Sequence, residues 1–259
     1  YIFKLNKNAK WSNGDPVTAD DFVWSWRRIL TASLGSQYPD MLYYLVGAYE
    51  YHNGQIDNFD EVGVKALDTH TLKVNLKNPT PFFIGLLSHY STWPVHKETV
   101  LKHGDIDDRN GEWTRPGNFV CNGPFQLKTW ELNNKIVVEK NPHYYDASMV
   151  RLNEIHYYPV SNVMTEDRMF RAGQLHLTSS MPTQKCPIYI EEKNPNLKID
   201  PYMGTYFYRI NTENETLSDV RVRKALAYSI DRQLLVDKVT QCGQIPAYSF
   251  TPPGSNGYQ

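Results

Sequence analysis

Histidine, cysteine and carboxylate side chains are where metal, nucleophilic and hydrolytic chemistry would begin, and their spacing in this chain specifies none of it. The histidines are His52, His70, His89, His96, His103, His143, His156 and His176. No HExxH run occurs, and no two of them stand four apart, the spacing that puts two imidazoles on one helix face. His89, His96 and His103 recur every seven residues, but Pro94 interrupts a helix between the first two. Cys121, Cys186 and Cys242 form no CxxC pair, so a zinc or thioredoxin-like site has no support. Three cysteines allow at most one internal disulfide and leave the redox compartment open. There is no GxSxG elbow, no phosphate-cradling P-loop and no GxGxxG turn. Carboxylates are numerous, but nothing in their order pairs two of them as a glycosidase dyad. Asn214-Glu-Thr216 matches a glycosylation sequon, a three-residue pattern too short to build on. Arg221-Val-Arg223-Lys224, with Asp219 and Asp231 nearby, reads as surface ion pairs rather than a phosphate site. No catalytic residue, no metal ligand and no cofactor is expected.

What the chain does offer is aromatic surface. It carries 18 Tyr, 10 Phe and 6 Trp, 13% of 259 residues. Rings most often supply core, but Tyr joins an apolar body to a hydroxyl and suits surfaces that are wet in one state and covered in another. Tyr and Trp bury large area while losing few rotamers, which favours a binding module over an enzyme. Lys and Arg number 27 against 28 Asp and Glu, a net charge of −1, so no nucleic-acid partner is expected from charge. No apolar run reaches the roughly 18 residues of a membrane span. The length corresponds to roughly two domains.

The elements that must position these residues follow from periodicity. Tyr1, Phe3 and Leu5 alternate as a strand already under way. The chain shows no initiator Met or signal segment, and Phe250-Thr-Pro-Pro-Gly-Ser-Asn-Gly reads as a loop, so an internal piece of a longer protein is expected. Thr18 caps a helix whose first turn holds Asp20 and Asp21 and whose stripe is Phe22, Val23, Trp26, Ile29 and Leu30. Residues 61–76 read as a hairpin turning at Asp68-Thr-His70, and Pro79-Thr-Pro81 opens a short apolar helix. Residues 97–116 are polar. Gln126 to Trp130 and Lys135 to Glu139 form a second hairpin around Asn133-Asn134. Residues 152–160 read as a strand, 165–172 as a helix closed by Gly173, and Gln174-Leu-His-Leu as a short strand. Residues 198–210 read as a strand interrupted by Pro201 and Gly204. Asp219 to Val239 reads as one helix or two, with Val220, Val222, Leu226, Ile230, Leu234 and Leu235 facing inward. Helices and strands without a regular βαβ period argue an α/β or α+β fold with a mixed sheet.

The segment Trp11-Ser-Asn-Gly-Asp-Pro-Val-Thr-Ala-Asp-Asp-Phe-Val-Trp-Ser-Trp-Arg27 resembles the signature of the family 5 extracellular solute-binding proteins, the peptide-binding subunits of ABC importers. The likeness continues in Gly63-Val-Lys-Ala-Leu-Asp68, His70-Thr-Leu, Asn122-Gly-Pro-Phe and Glu139-Lys-Asn-Pro-His-Tyr-Tyr145. It returns in Asp200-Pro-Tyr, Asp219-Val-Arg-Val-Arg-Lys-Ala-Leu226 and Pro246-Ala-Tyr-Ser-Phe-Thr-Pro-Pro253. The resemblance implies a mixed-sheet, periplasmic-binding-protein-like α/β fold of type II with an extra domain, incomplete here at both ends. It implies residues 1–96 as the extra α/β domain, 97–203 as most of one ligand lobe and 204–259 as the start of the other. The implied function is a non-enzymatic periplasmic receptor, expected as a monomer. It holds short peptides by main-chain hydrogen bonds with low side-chain selectivity and delivers them to a membrane-embedded permease. A murein-tripeptide or dipeptide receptor is the alternative, and a secreted hydrolase a distant one.

By position, Tyr38 falls where the family places a pocket-lining Tyr and His89 where close relatives have a pocket His. Tyr202 and the main chain of Met203, Gly204 and Thr205 fall on the implied cleft wall. Close relatives carry Cys where this chain has Gly204, so their disulfide cannot form there. They carry Tyr and Glu at Phe207 and Arg209, so the resemblance implies an altered preference for ligand charge. A Lys that holds short-peptide carboxylates in some relatives aligns with Thr240, which leaves peptide length open.

Overall fold

The computed structural model describes residues 1–255; residues 256–259, the end of the loop expected from Phe250, lie outside the described residues. The chain divides into two units, Tyr1–Pro159 and Val160–Gln259.

In the first unit, β1 (Ile2–Lys4), β2 (Val64–Asp68) and β3 (Thr71–Val74) form an antiparallel sheet in the order β1-β3-β2. The hairpin β2–β3 turns where expected, with Asp68 Oδ1 accepting from the His70 N–H (2.8 Å). Helix α1 (Ala19–Leu30) lies against β2. It starts at Thr18, whose hydroxyl accepts from Asp21 N while the Asp21 carboxylate accepts from Thr18 N. This reciprocal pairing satisfies two donors that a helix end leaves free. Of the anticipated stripe, Trp26 and Leu30 are buried and Phe22, Val23 and Ile29 pack at the margin of the core. The core is completed by Leu42, Leu45, Val62, Val74 and Phe83, together with Ala48 from α2 (Ala48–His52). Gly63 is required here, since a Cβ would collide with the Asn75 carbonyl at the end of the β2–β3 ladder. Helix α3 (Phe83–Leu86) follows the Pro-Thr-Pro run.

Residues 97–116, read only as polar, contain α4 (Lys97–Lys102). Its cap is His96, whose Nδ1 accepts from the Thr99 N–H (3.3 Å), a role that periodicity does not signal. Strands β4 (Phe125–Glu131), β5 (Lys135–Lys140) and β6 (Glu154–Tyr157) form a second antiparallel sheet in that order. Asn133 takes the left-handed turn conformation (φ +58°). Every strand pairing among the described residues is antiparallel.

The second unit opens with α5 (Val163–Arg171), capped by Asn162. Asp167, buried on this helix, binds Lys185, Arg171 Nε (3.1 Å) and the Tyr189 hydroxyl (2.9 Å), and so fastens α6 (Cys186–Glu191). Burial pushes the Asp167 carboxyl upward, but the Lys185 and Tyr189 hydrogen bonds and the Lys185 and Arg171 charges outweigh it and leave it below its ordinary value. Cys186 and Cys242 form a disulfide, and Cys121 is free. Asp219 caps α7 (Val220–Tyr228) and Asp231 caps α8 (Arg232–Leu235), which runs on into a π-turn, Val236–Thr240.

Three expectations are corrected. Gln174-Leu-His-Leu is not a strand: Gln174 N donates back to Met169 O (2.9 Å) in the helix-ending turn, and Leu177 is exposed. Residues 198–210 join no sheet, because a strand needs a partner ladder and no strand among the described residues pairs with them. The apolar stripe of α7 and α8 is not an inner face. Val220, Leu226, Ile230, Leu234 and Leu235 are exposed and Val222 is half-buried, since no layer of this unit covers them. The helical spacing was real; the facing surface is not among the described residues.

Candidate functional site

The long signature segment is a structural clasp. Trp11 is buried, and its indole Nε1–H donates to Asp21 Oδ2 (3.3 Å), which also accepts from the Thr18 N–H and hydroxyl. Burial raises the Asp21 carboxyl above its ordinary value, against the pull of these hydrogen bonds. His96 is buried with its ring edge-on to Trp11, centroids 5.3 Å apart. Because its Nδ1 accepts from a backbone N–H, its Nε2 carries the proton and donates to Asp15 Oδ2 (3.1 Å). Ser12 binds Cys121 through both main chain and hydroxyl (2.7 and 3.2 Å). Asn141, fully buried, donates from its side chain to Gly123 O (2.9 Å) and from its main chain to Pro124 O (3.0 Å). Two of the matching blocks, Asn122-Gly-Pro-Phe and Glu139 to Tyr145, are thus tied to each other, and the signature segment is tied to Cys121 beside them. Burial raises the Cys121 thiol, which makes it a poor nucleophile. Among the described residues no group of three His, Cys, Asp or Glu is placed to hold a metal ion.

Two clusters remain, one in each unit. In the first unit Tyr38 and His89 do come together, rings edge-on with centroids 5.0 Å apart. Tyr90, which sequence reasoning missed, completes the group. It stacks on His89 (4.3 Å) and meets Tyr38 edge-on (5.8 Å). All three reach solvent. The Ser91 N–H donates to His89 Nδ1 (3.3 Å) and the Ser91 hydroxyl lies 2.8 Å from it, so the proton sits on Nε2. Loss of solvent first, then the Tyr38 hydroxyl, raises the Tyr90 phenol.

In the second unit, residues 200–210 lie in no helix or strand, and most of their side chains are exposed. Gly204 N donates to Tyr202 O (2.9 Å). The other main-chain groups of residues 200–210 have no protein partner among the described residues. Tyr202 is 89% exposed, Met203 72%, and Thr205 half-buried. The Tyr202 ring folds over Gly204, where a Cβ would collide with it. Side chains alternate as in a strand. Tyr206 and Tyr208 lie together, centroids 6.0 Å apart, while Phe207 packs on Phe250 (4.9 Å) and Arg209 is exposed. Tyr206 and Tyr208 were also missed. Their alternation with Phe207 was the available signal. Backbone N–H and C=O groups must be paired somewhere, and a run with all but one pair of them free is a template for a second, extended chain.

A family model, the bacterial extracellular solute-binding proteins, family 5 Middle, matches residues 1–259. The chain belongs to this family. It is 40% identical over 268 residues to the periplasmic oligopeptide-binding protein OppA of Salmonella typhimurium, covering 99% of this chain and 47% of that protein. It matches the solved murein tripeptide-binding protein MppA of Escherichia coli with a TM-score of 0.90 at 35% identity, over 100% of this chain and 50% of the other. It also matches Haemophilus influenzae OppA solved in complex with RPPGFSPFR, TM-score 0.88 at 35% identity, over 97% and 48%. It spans about half the length of these relatives. The solute-binding fold expected from the resemblance is therefore shown.

Proposed function

We propose that the chain is part of a periplasmic receptor that holds short peptides in extended form and hands them to an ABC importer. The observation that carries this is the main chain of residues 200–210, whose groups other than Gly204 N–H and Tyr202 C=O have no partner among the described residues, bordered by Tyr202, Tyr206 and Tyr208. Main-chain pairing is blind to side-chain identity, so such a segment accepts many peptides of similar length. Tyr38, His89 and Tyr90 supply a second contact surface, with His89 Nε2–H as donor. Met203, Gly204 and Thr205 contribute main chain. Phe207 backs the segment through Phe250, and Arg209 favours acidic ligands.

In this reading residues 1–96 are the extra domain, 97–203 most of one ligand lobe and 204–259 the start of the second. The receptor works as a monomer, and the partners are peptides and a membrane-embedded permease. It is a receptor rather than a hydrolase, because Cys121 is half-buried with a raised thiol and the sequence carries no nucleophile motif. The likeness to a murein tripeptide-binding protein keeps a cell-wall peptide within the same class of ligand.

Calorimetry on the intact gene product tests this with a pool of short peptides and the same pool methylated on its backbone nitrogens. The unmodified pool is expected to bind and the methylated pool to bind about tenfold or more weakly, the loss of one or two hydrogen bonds. Equal affinity for both pools overturns main-chain recognition.

A further inference from the structure

The disulfide of the second unit stands in direct line with the segment just described. Cys186 is fully buried in the first turn of α6, the helix that Asp167 fastens to α5 through Lys185 and Tyr189. Cys242 follows Gln241, whose left-handed conformation (φ +53°) closes the π-turn Val236–Thr240. The two Cα atoms are 5.5 Å apart, within the range a disulfide spans. Gly243, next to Cys242, lies so close to Ile199 that a Cβ would stand 2.9 Å from Ile199 Cγ2. Its φ of +86° also suits glycine. A chain of contacts therefore runs from α5 through Asp167 to α6, across the disulfide to Gly243, and onto Ile199, where that segment begins. The surrounding apolar side chains of α7 and α8 are exposed, so cross-links do here what a core does elsewhere.

We infer that the Cys186–Cys242 disulfide is a redox-sensitive clamp that fixes residues 199–210 for ligand binding. The inference rests on the proposed function only for what that segment binds. A dithiol reductant opens the clamp. One thiolate attacks a cystine sulfur and breaks the S–S bond, and the second resolves the mixed disulfide. The products are two cysteine thiols and the cyclic disulfide of the reductant, with two electrons passing to the protein. Freed from Cys186, the turn carrying Gly243 no longer bears on Ile199.

The test uses the intact gene product carrying Cys121→Ser, which removes the free thiol found among the described residues. Peptide mapping without reductant should show Cys186 joined to Cys242. Chymotryptic cleavage after Tyr202, Tyr206 and Tyr208, followed by mass spectrometry, should then accelerate about tenfold when a dithiol is added under native conditions. Cleavage after Phe59 and Phe83 in the first unit should not change. Affinity for a pool of short peptides should fall by a similar factor. Alkylation of both cysteines without reductant, or unchanged cleavage after verified reduction, overturns the clamp. If the oxidised protein takes up no peptide, the proposed ligand is wrong, and the cleavage rates still decide the clamp on their own.

Discussion

Asp21→Ala is expected to destabilise the first unit, although Asp21 is no part of the proposed ligand surface. Asp21 Oδ2 accepts from the Trp11 indole (3.3 Å), the Thr18 N–H (2.7 Å) and the Thr18 hydroxyl (3.0 Å). Removing the carboxylate dismantles the helix cap, worth about 1 kcal/mol. It also strands the buried Trp11 N–H, which costs about 1–3 kcal/mol. Together the loss is roughly 2–4 kcal/mol, or a urea midpoint lower by about 1 M or more. Asp21→Asn separates charge from geometry, because its amide oxygen can still accept from the Thr18 N–H and the Trp11 indole while the Thr18 hydroxyl turns to solvent; a loss under about 1 kcal/mol is expected. The pH dependence has a fixed sign. The folded carboxyl is raised above its ordinary value of 3.8, so the folded state holds its proton more tightly than the unfolded chain. Stability should therefore decline as pH rises from the unfolded value through the folded one, and the Asn variant should lack that decline. The assay is urea unfolding followed by the fluorescence of buried Trp11 and Trp26, with peptide affinity measured alongside. An Asp21→Ala loss below about 0.5 kcal/mol would refute the clasp, for that is the range of an ordinary surface change. A peptide affinity lost in Asp21→Asn at unchanged stability would place the signature in the ligand site.

Two further outcomes follow. Asp167→Asn leaves Lys185 without its buried partner and should destabilise the second unit by about 3 kcal/mol at neutral pH, read by unfolding of the intact gene product. Because the folded carboxyl lies below 3.8, its contribution is present above that value and lost as pH falls through the lower folded one, and the variant should be flat there. Arg209→Glu should shift the ratio of affinities for acidic over basic peptides downward by roughly two- to fivefold, the scale of an exposed charge pair. An unchanged ratio in competition binding would remove Arg209 from the ligand surface.

Local structure was legible wherever one stretch of chain suffices to determine it. Thr18 and Asp21 announce a capped helix, Asn133-Asn134 a hairpin, and Asp219 the start of α7. What stayed hidden depends on partners distant in sequence. His96 against Trp11 and Asp15, Asn141 binding Gly123 and Asp167 gathering Lys185 and Tyr189 are contacts across many residues with no local signature. The strand read at residues 198–210 lacked a neighbour among the described residues. The stripe on α7 and α8 had the right spacing and lacked a cover. At the candidate site, Tyr38 and His89 were placed by resemblance and are in contact, but only the structure adds Tyr90, Tyr206 and Tyr208. Of the three cysteines, the sequence allowed one bridge without saying which pair forms it.

The most direct measurement is to purify the intact gene product from cells under native conditions, denature it and identify the released small molecules by mass spectrometry. A mixture of short peptides of varied sequence is the result that main-chain recognition by residues 200–210 predicts. A preparation that releases no peptide and takes up none from an added pool would contradict it.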